Sequence, residues 1–284
     1  MARDVNTGTR YARDVVDATL DTALGWLRAR PRTAAPLLVG LSGLQGSGKS
    51  TFARQLAAAA RRCGTPTEVL SLDDFYLGRR ARMRLARDVH PLLATRGVPG
   101  THDLALLTHT VADLAHANVR RPVPVPRFDK GRDTRLPPSR WRGVTTPPRL
   151  ILLEGWCVGV PPQPGNRLAS PLNALERNED TDGRWRRWVN AQLADAYADL
   201  WRRFDRLILL EAPGFAVVTR WRDEQERALR ARHAPQAMGT AALQRFLMHY
   251  ERLSRHALRT LPACADLRLV LRRDRSVRTI VCAT

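Results

Sequence analysis

Residues Gly43-Leu44-Gln45-Gly46-Ser47-Gly48-Lys49-Ser50-Thr51 constrain this chain more than any other stretch. They lie between a short apolar run, Leu37-Leu38-Val39-Gly40-Leu41, and a segment from Lys49 to Arg62 that places Phe52, Leu56 and Ala60 on one helical face. The run predicts a strand buried on both sides of a parallel sheet. The segment predicts a helix that stops near Gly64. The turn between them matches G-x-x-x-x-G-K-[ST], in which glycines let backbone N–H groups converge on phosphate oxygens and the helix start adds positive dipole. Lys49 is then placed to reach the β- and γ-phosphates of ATP, and Ser50 to ligate Mg²⁺. Gly43 to Thr51 are the candidate ATP-binding residues.

The rest of the chain repeats the strand and helix alternation. Glu68 to Leu72, Arg149 to Leu153 and Arg206 to Leu210 read as further buried strands, and Leu267 to Leu271 and Val277 to Val281 as two short ones joined across Asp274. Strands alternating with helices imply a three-layer α/β/α fold with a mostly parallel sheet. A leading amphipathic helix is expected over residues 11–30, with Val15, Val16, Leu20, Leu24 and Leu27 facing the core. Arg79 to Asp103 reads as polar and irregular, Leu104 to Ala117 as a helix capped by Asp103, and Pro122 to Pro126 as a stiff extended loop. Trp185 to Arg203, Phe215 to Arg232 and Ala241 to Leu258 read as helices. One domain of 284 residues is expected. It would comprise an N-terminal helix (1–35), a nucleotide-binding core with substrate loops (36–160), a helical insertion (161–205), and a lid helix with C-terminal strands (206–284).

Charge and cysteine usage narrow the class. The formal charge is +20, but arginine supplies nearly all of the 47 basic residues and is spread along the chain, so no basic stripe points to nucleic acid. Lysine occurs only at Lys49 and Lys130, which suggests sites that need a compact ammonium. Cys63, Cys157, Cys264 and Cys282 form no C-x-x-C pair and read as reduced thiols, Cys157 as a small core residue. No window is long and apolar enough for a membrane helix, and Met1 to Arg13 lacks an export signal, so a cytoplasmic address is expected. Asn178, Asp180, Asp182 and Gly183 imitate a calcium loop, but Val189 stands where the bidentate glutamate belongs. The histidines show no zinc-ligand spacing.

Several side chains carry candidate chemistry. Asp73 and Asp74 follow the second strand, at the end of the sheet where open α/β sheets bind ligands, and one of them can accept a proton from a substrate hydroxyl. Glu154 ends an apolar strand, where such an acid holds Mg²⁺ or its water; Ser50, Asp73 and Glu154 are the candidate metal residues. Lys49, Asp73, Glu154 and Arg222 are the candidate catalytic set. Arg222 lies with Arg220 and Arg227 on a helix suited to a mobile lid that neutralises phosphoryl charge. Arg96 to Asp103 and Arg127 to Lys130 combine opposite charges with rigid turns. They nominate Arg96, His102, Asp103, Arg127, Asp129 and Lys130, with Asp73 and Tyr76, for substrate binding.

The combination resembles the P-loop kinases related to uridine kinase, phosphoribulokinase and bacterial pantothenate kinase, and within them the D-glycerate 3-kinase group. The closer likeness rests on Gly43 to Thr51, Ser71-Leu72-Asp73-Asp74-Phe75-Tyr76, Arg96 to Asp103, Pro126 to Lys130, Glu154 to Gly159, and Asn173 to Asn190. Together these span most of the chain. The resemblance implies ATP and Mg²⁺ as cofactors, Asp73 rather than Asp74 as the base, Glu154 as the strand-end glutamate, and phosphorylation of D-glycerate to 3-phosphoglycerate. Phe128 departs from the tyrosine that relatives often carry. For a small hydroxy acid, Arg96, Arg127 and Lys130 would meet the carboxylate, and Asp73, Asp103 and Asp129 the hydroxyls. A nucleoside or pantothenate-like alcohol ranks second, because few aromatic residues lie near the substrate loops. An ATP-binding protein acting on nucleic acid ranks third.

Overall fold

The computed structural model describes residues 10–31, 34–231 and 238–283. In chain order the elements are α1 (Arg13–Arg28), β1 (Leu37–Gly43), α2 (Lys49–Arg62), β2 (Thr67–Ser71), α3 (Arg79–Asp88), α4 (Leu104–Leu114), β3 (Val123–Val125), β4 (Phe128–Asp129), β5 (Thr134–Arg135), β6 (Arg142–Val144) and β7 (Leu150–Gly155). They continue with α5 (Ala174–Glu179), α6 (Arg184–Ala194), α7 (Ala196–Trp201), β8 (Arg206–Glu211), α8 (Ala216–Arg230), α9 (Thr240–Cys264), β9 (Leu267–Leu271) and β10 (Val277–Cys282). The main sheet runs β10-β9-β8-β1-β7-β2, parallel except for β10, and helices pack on it, as an α/β reading requires. β1 and β7 are buried along their whole length because each has a strand on either side and helices above and below.

Two aspartates fix the entry of neighbouring strands. Asp205 accepts the Leu38 N–H and Asp266 accepts the Leu207 N–H, at 2.8 and 2.7 Å. Each pins the first residues of one strand to its partner. Because the strands are parallel and in register, the ends of β1, β2, β7 and β8 emerge together, so Gly43, Ser71, Gly155 and Glu211 share one edge of the sheet.

Four sequence expectations need correction. Arg79 to Asp88 forms α3 rather than an irregular segment; it buries Arg82 instead of an apolar stripe, satisfying that guanidinium with the Leu77 and Ala94 carbonyls and the Asp133 carboxylate. Trp185 to Arg203 is not one helix but α6 and α7, broken at Asp195 (φ −109°, ψ −110°), which turns the Tyr197 hydroxyl onto the Gly100 N–H. The stretch containing Pro124 is a short strand, β3, paired with β6. The last helix runs past Leu258 to Cys264 and includes Pro262 in its final turn. Arg232, the expected end of the lid helix, and residues 1–9 of the segment read for export lie outside the described residues. Among the described residues no helix is long and apolar enough to cross a membrane.

A buried ion pair ties the helical insertion to α9. Arg252 donates to both carboxylate oxygens of Glu176, at 2.7 and 2.6 Å, and to the Arg167 and Ser170 carbonyls. Both side chains are almost wholly buried. Removing one member leaves an uncompensated charge in a low-dielectric site, so Glu176→Ala should cost roughly 3–5 kcal/mol in urea unfolding. A loss under about 1 kcal/mol would show that the pair does not hold the insertion.

Candidate active site

The turn after β1 has the backbone of an anion nest. Gly46 and Gly48 take φ of +81° and +91°, left-handed values that L side chains rarely adopt. Gly48 is also the residue that caps α2. Lys49 folds back over the loop, with its ammonium donating to the Leu44 carbonyl at 3.3 Å. Burial lowers the Lys49 pKa from its ordinary value, against the opposing pull of the Glu154 and Asp73 carboxylates. The hydroxyls of Ser42 and Ser47 and the amide nitrogen of Gln45 are buried without a hydrogen-bond partner among the described residues. Such orphaned groups beside a nest of N–H donors fit an oxygen-rich anion.

Next to the loop, Glu154 sits at the end of β7 and is 4 % exposed. Its Oε1 accepts the Ser50 hydroxyl at 2.8 Å and the Ser71 hydroxyl at 2.7 Å. One carboxylate and two hydroxyls make a hard oxygen donor set, which suits Mg²⁺ carrying most of its own water. Ser71 pairs with Glu154 in register across β2 and β7, a role that no local motif marks.

On the far side of Glu154, Asp73 leaves the short turn after β2 with both oxygens engaged. The Tyr76 hydroxyl donates to Oδ1 at 2.6 Å and the Lys130 ammonium to Oδ2 at 2.7 Å. Burial by itself would raise the Asp73 carboxyl, but Lys130, Tyr76 and Lys49 together hold it well below the usual carboxylate range. The same pairing raises the Lys130 pKa. Asp74 points elsewhere. Its Oδ1 accepts the Phe128 N–H at 3.0 Å, latching the β4–β5 hairpin, and burial pushes its carboxyl up to about 6.

The structure therefore brings Gly43 to Thr51, Glu154, Asp73, Tyr76 and Lys130 together. Arg96 lies behind them, over the Phe128 ring at 5.6 Å, paired with Asp133 and donating to the Lys130 carbonyl at 3.5 Å. Other nominated side chains have different engagements. Asp103 caps α4 through the Leu106 N–H and pairs with Arg135. His102 is buried, bonded through Nδ1 to the Tyr197 hydroxyl, and burial lowers it to about 4. Asp129 closes the hairpin turn on the N–H groups of Gly131 and Arg132. Arg127 is exposed at the start of that hairpin. Arg222 is paired with the buried Glu226 and with Gln225, at 2.7 Å each, although its backbone passes close to Gly46. Asp180, from the calcium-like stretch, is spent on the Trp185 N–H and on Arg186. Cys157 is buried in the core, and burial raises its thiol pKa.

On the opposite side of the loop an open groove of about 580 Å³ runs along the ends of β8 and β9, lined by Glu211 to Gly214, Val270 and the arginines 272, 273 and 278.

No protein-family model matches the chain. An uncharacterized kinase of Schizosaccharomyces pombe, mug58, is 32 % identical over 243 residues, covering 83 % of this chain and 86 % of that protein. The chloroplastic D-glycerate 3-kinase of Arabidopsis thaliana is 32 % identical over 203 residues, 69 % of this chain but only 42 % of the plant protein's length. A solved D-glycerate 3-kinase from Cryptococcus neoformans has the same fold, with a TM-score of 0.79 over 96 % of this chain and 100 % of that one at 23 % identity. A probable ATP-dependent kinase of Saccharomyces cerevisiae, TDA10, is 31 % identical over 210 residues, 68 % of each chain. The nest, the Ser50–Glu154–Ser71 donor set and the yeast relatives converge: the chain belongs to the P-loop kinases that include mug58 and TDA10 and is an ATP-dependent phosphotransferase.

Proposed function

We propose that the chain transfers the γ-phosphate of ATP to a hydroxyl of a small hydroxy acid, with D-glycerate as the acceptor and 3-phosphoglycerate as the product. The observation that carries this reading is the Asp73–Lys130 pair beside the nucleotide loop. It sets a carboxylate for a hydroxyl and an ammonium for an acid group within one site, next to Lys49 and Glu154. The kinase relatives support the chemistry, and the name of the plant relative supports the acceptor.

Bound ATP would supply the phosphoryl group, and Mg²⁺ would supply positive charge that offsets the charge on the phosphates. Ser50, Glu154 and Ser71 would hold the metal and its water. The N–H groups of the loop would hold the β-phosphate, and Lys49 would leave the Leu44 carbonyl to reach the transferring group. The substrate loops occupy the β2 side, so the adenosine end would lie over the ends of β8 and β9, in the groove beside Glu211 and Val270. Arg222 would exchange Glu226 for the developing phosphoryl charge.

Both Asp73 oxygens are engaged, so the carboxylate can serve a substrate only if one donor lets go. Lys130 is the donor suited to do so, since its side chain is 59 % exposed and long enough to swing onto the carboxylate of the incoming acid. Tyr76 would keep Oδ1 and aim Oδ2 at the substrate hydroxyl. Moving Lys130 onto the acid removes the largest influence that lowers the Asp73 carboxyl, so Asp73 becomes a stronger base there and takes the proton late, after bond formation to phosphorus has acidified the hydroxyl. That order suits a loose phosphoryl-transfer transition state. Asp74 is the less suitable base, because it is bonded to the backbone of the hairpin.

Expected outcomes separate these roles. Asp73→Asn should lower kcat by roughly a hundredfold or more while ATP binding persists. Lys130→Ala should raise KM for D-glycerate with little effect on KM for ATP. In ADP-release assays D-glycerate should stimulate turnover above L-glycerate, uridine and pantothenate; equal rates without any acceptor would contradict kinase action. Asp74 gives a separate pH signature. Its folded pKa is raised from the ordinary 3.8 to about 6, so its charge costs stability that is absent at acid pH, appears between those values and is complete above pH 6. Asp74→Asn, which keeps the acceptor for the Phe128 N–H, should therefore be more stable than the parent by about 1–2 kcal/mol at pH 8, with the gap closing towards pH 4. A gap that widens on acidification would contradict the assignment.

A further inference from the structure

The φ values that turn the N–H groups of the nucleotide loop inward also turn carbonyls outward, and outward carbonyls need donors if the nest is to keep its shape. Two of them have one. The Ser47 carbonyl accepts the Tyr11 hydroxyl at 2.6 Å, and the Gly46 carbonyl accepts the Arg275 Nε–H at 2.8 Å. These donors come from segments 36 and 229 residues away in sequence, and neither belongs to the loop, to the metal donor set or to the acceptor side.

Each donor is itself held in place. Tyr11 packs edge-on against Phe52 with ring centroids 4.9 Å apart, and the Gln55 side chain takes both its backbone groups, receiving the Tyr11 N–H and donating to the Tyr11 carbonyl at 3.0 Å each. Its ring lies over Gly48, where a Cβ would meet Cε2 at 3.2 Å. Arg275 sits at the tip of the β9–β10 hairpin with φ +72°, a disfavoured value for arginine that persists only where surrounding contacts outweigh it. Its guanidinium lies over the Trp221 ring, donates to the Trp221 carbonyl at 3.3 Å and pairs with Glu224 at 2.7 Å. Trp221 is the residue that a Cβ on Gly46 would strike at 2.6 Å, and its indole N–H returns to the Arg273 carbonyl.

We propose that Tyr11 and Arg275 are positioning residues for the nucleotide: they clamp the outward carbonyls of Ser47 and Gly46, keep the loop pre-formed for phosphate, and through Trp221 join it to the helix that carries Arg222. This inference rests on the reading that the loop binds ATP, and its test keeps the two apart. Fluorescent ATP-analogue titrations and steady-state kinetics would be run on the full chain and on Tyr11→Phe, Arg275→Asn and Lys49→Ala. Phenylalanine keeps the ring and removes only the hydroxyl; asparagine tolerates the left-handed backbone but removes the guanidinium and its stem, and with them the contacts to Gly46, Trp221 and Glu224. Loss of the bond to the loop should raise Kd and KM for ATP roughly fivefold in either variant with KM for the acceptor unchanged, and for Tyr11→Phe with the Tm unchanged as well. Arg275→Lys, which keeps a donor, should recover part of the loss. If Tyr11→Phe and Arg275→Asn bind ATP as the parent does while Lys49→Ala does not, the positioning role is wrong and the phosphate reading stands. If Lys49→Ala also binds as the parent does, both fall. Equal weakening of ATP and acceptor, or a lowered Tm in both variants, would mark a general structural role and overturn the proposal.

Discussion

The carboxylate of Glu154 receives a hydroxyl from Ser50 at the start of α2 and another from Ser71 at the end of β2, and this three-way contact holds the two halves of the site against each other. It exists only because β1, β7 and β2 are adjacent, parallel and in register, so that the ends of three strands distant in sequence open at one edge of the sheet. Parallel strands need burial on both faces, which the apolar runs ending in Gly43, Ser71 and Gly155 supply. The packed sheet and the donor set are thus one construction. A slip of the β2–β7 register by one residue would turn Ser71 to the opposite face and leave Glu154 with one partner.

Charge in the site is arranged as two acids flanked by two ammonium groups. Lys49, Glu154, Asp73 and Lys130 follow one another from the nucleotide loop to the hairpin; the Asp73–Lys130 attraction lowers the first and raises the second, whereas burial outweighs the carboxylates and lowers Lys49. Such a row suits a polyanion at the loop end and, on the proposed reading, a hydroxy acid at the other, without a large unbalanced charge between them. Asp74 stands outside the row, where burial rather than a neighbouring cation sets its pKa.

The parts legible in sequence are those whose physics is local. The apolar run before Gly43, the glycine-rich turn and the amphipathic helix after it specify strand, nest and helix within 26 consecutive residues, Leu37 to Arg62, and the structure has all three. The scarcity of lysine points to Lys49 and Lys130, and the structure sets both beside Asp73 and Glu154 in the candidate site. What was not legible depends on distant partners. α3 carries no apolar stripe, because its buried position is an arginine that finds its carboxylate, Asp133, in a hairpin about 50 residues on. The break at Asp195 has no proline or glycine to announce it; beyond it the Tyr197 hydroxyl meets Gly100 and His102, partners nearly a hundred residues away. Ser71, Tyr11 and Arg275 acquire their roles from register and from the hairpin tip. Asp103 and Asp129 carry charges that looked available for a substrate, yet the same short side chains cap a helix and close a turn.

The central claim is that one metal position lies between the Ser50, Ser71 and Glu154 oxygens, with the phosphates of ATP on the loop to one side and Asp73 on the other. A crystal structure with Mg²⁺ and a non-hydrolysable ATP analogue tests it most directly. The account predicts metal density about 2.0–2.1 Å from the Ser50 hydroxyl, with Glu154 reaching it directly or through a water. It also predicts a γ-phosphate within reach of Lys49. Triphosphate density elsewhere, or a metal remote from Ser50 and Glu154, would contradict it.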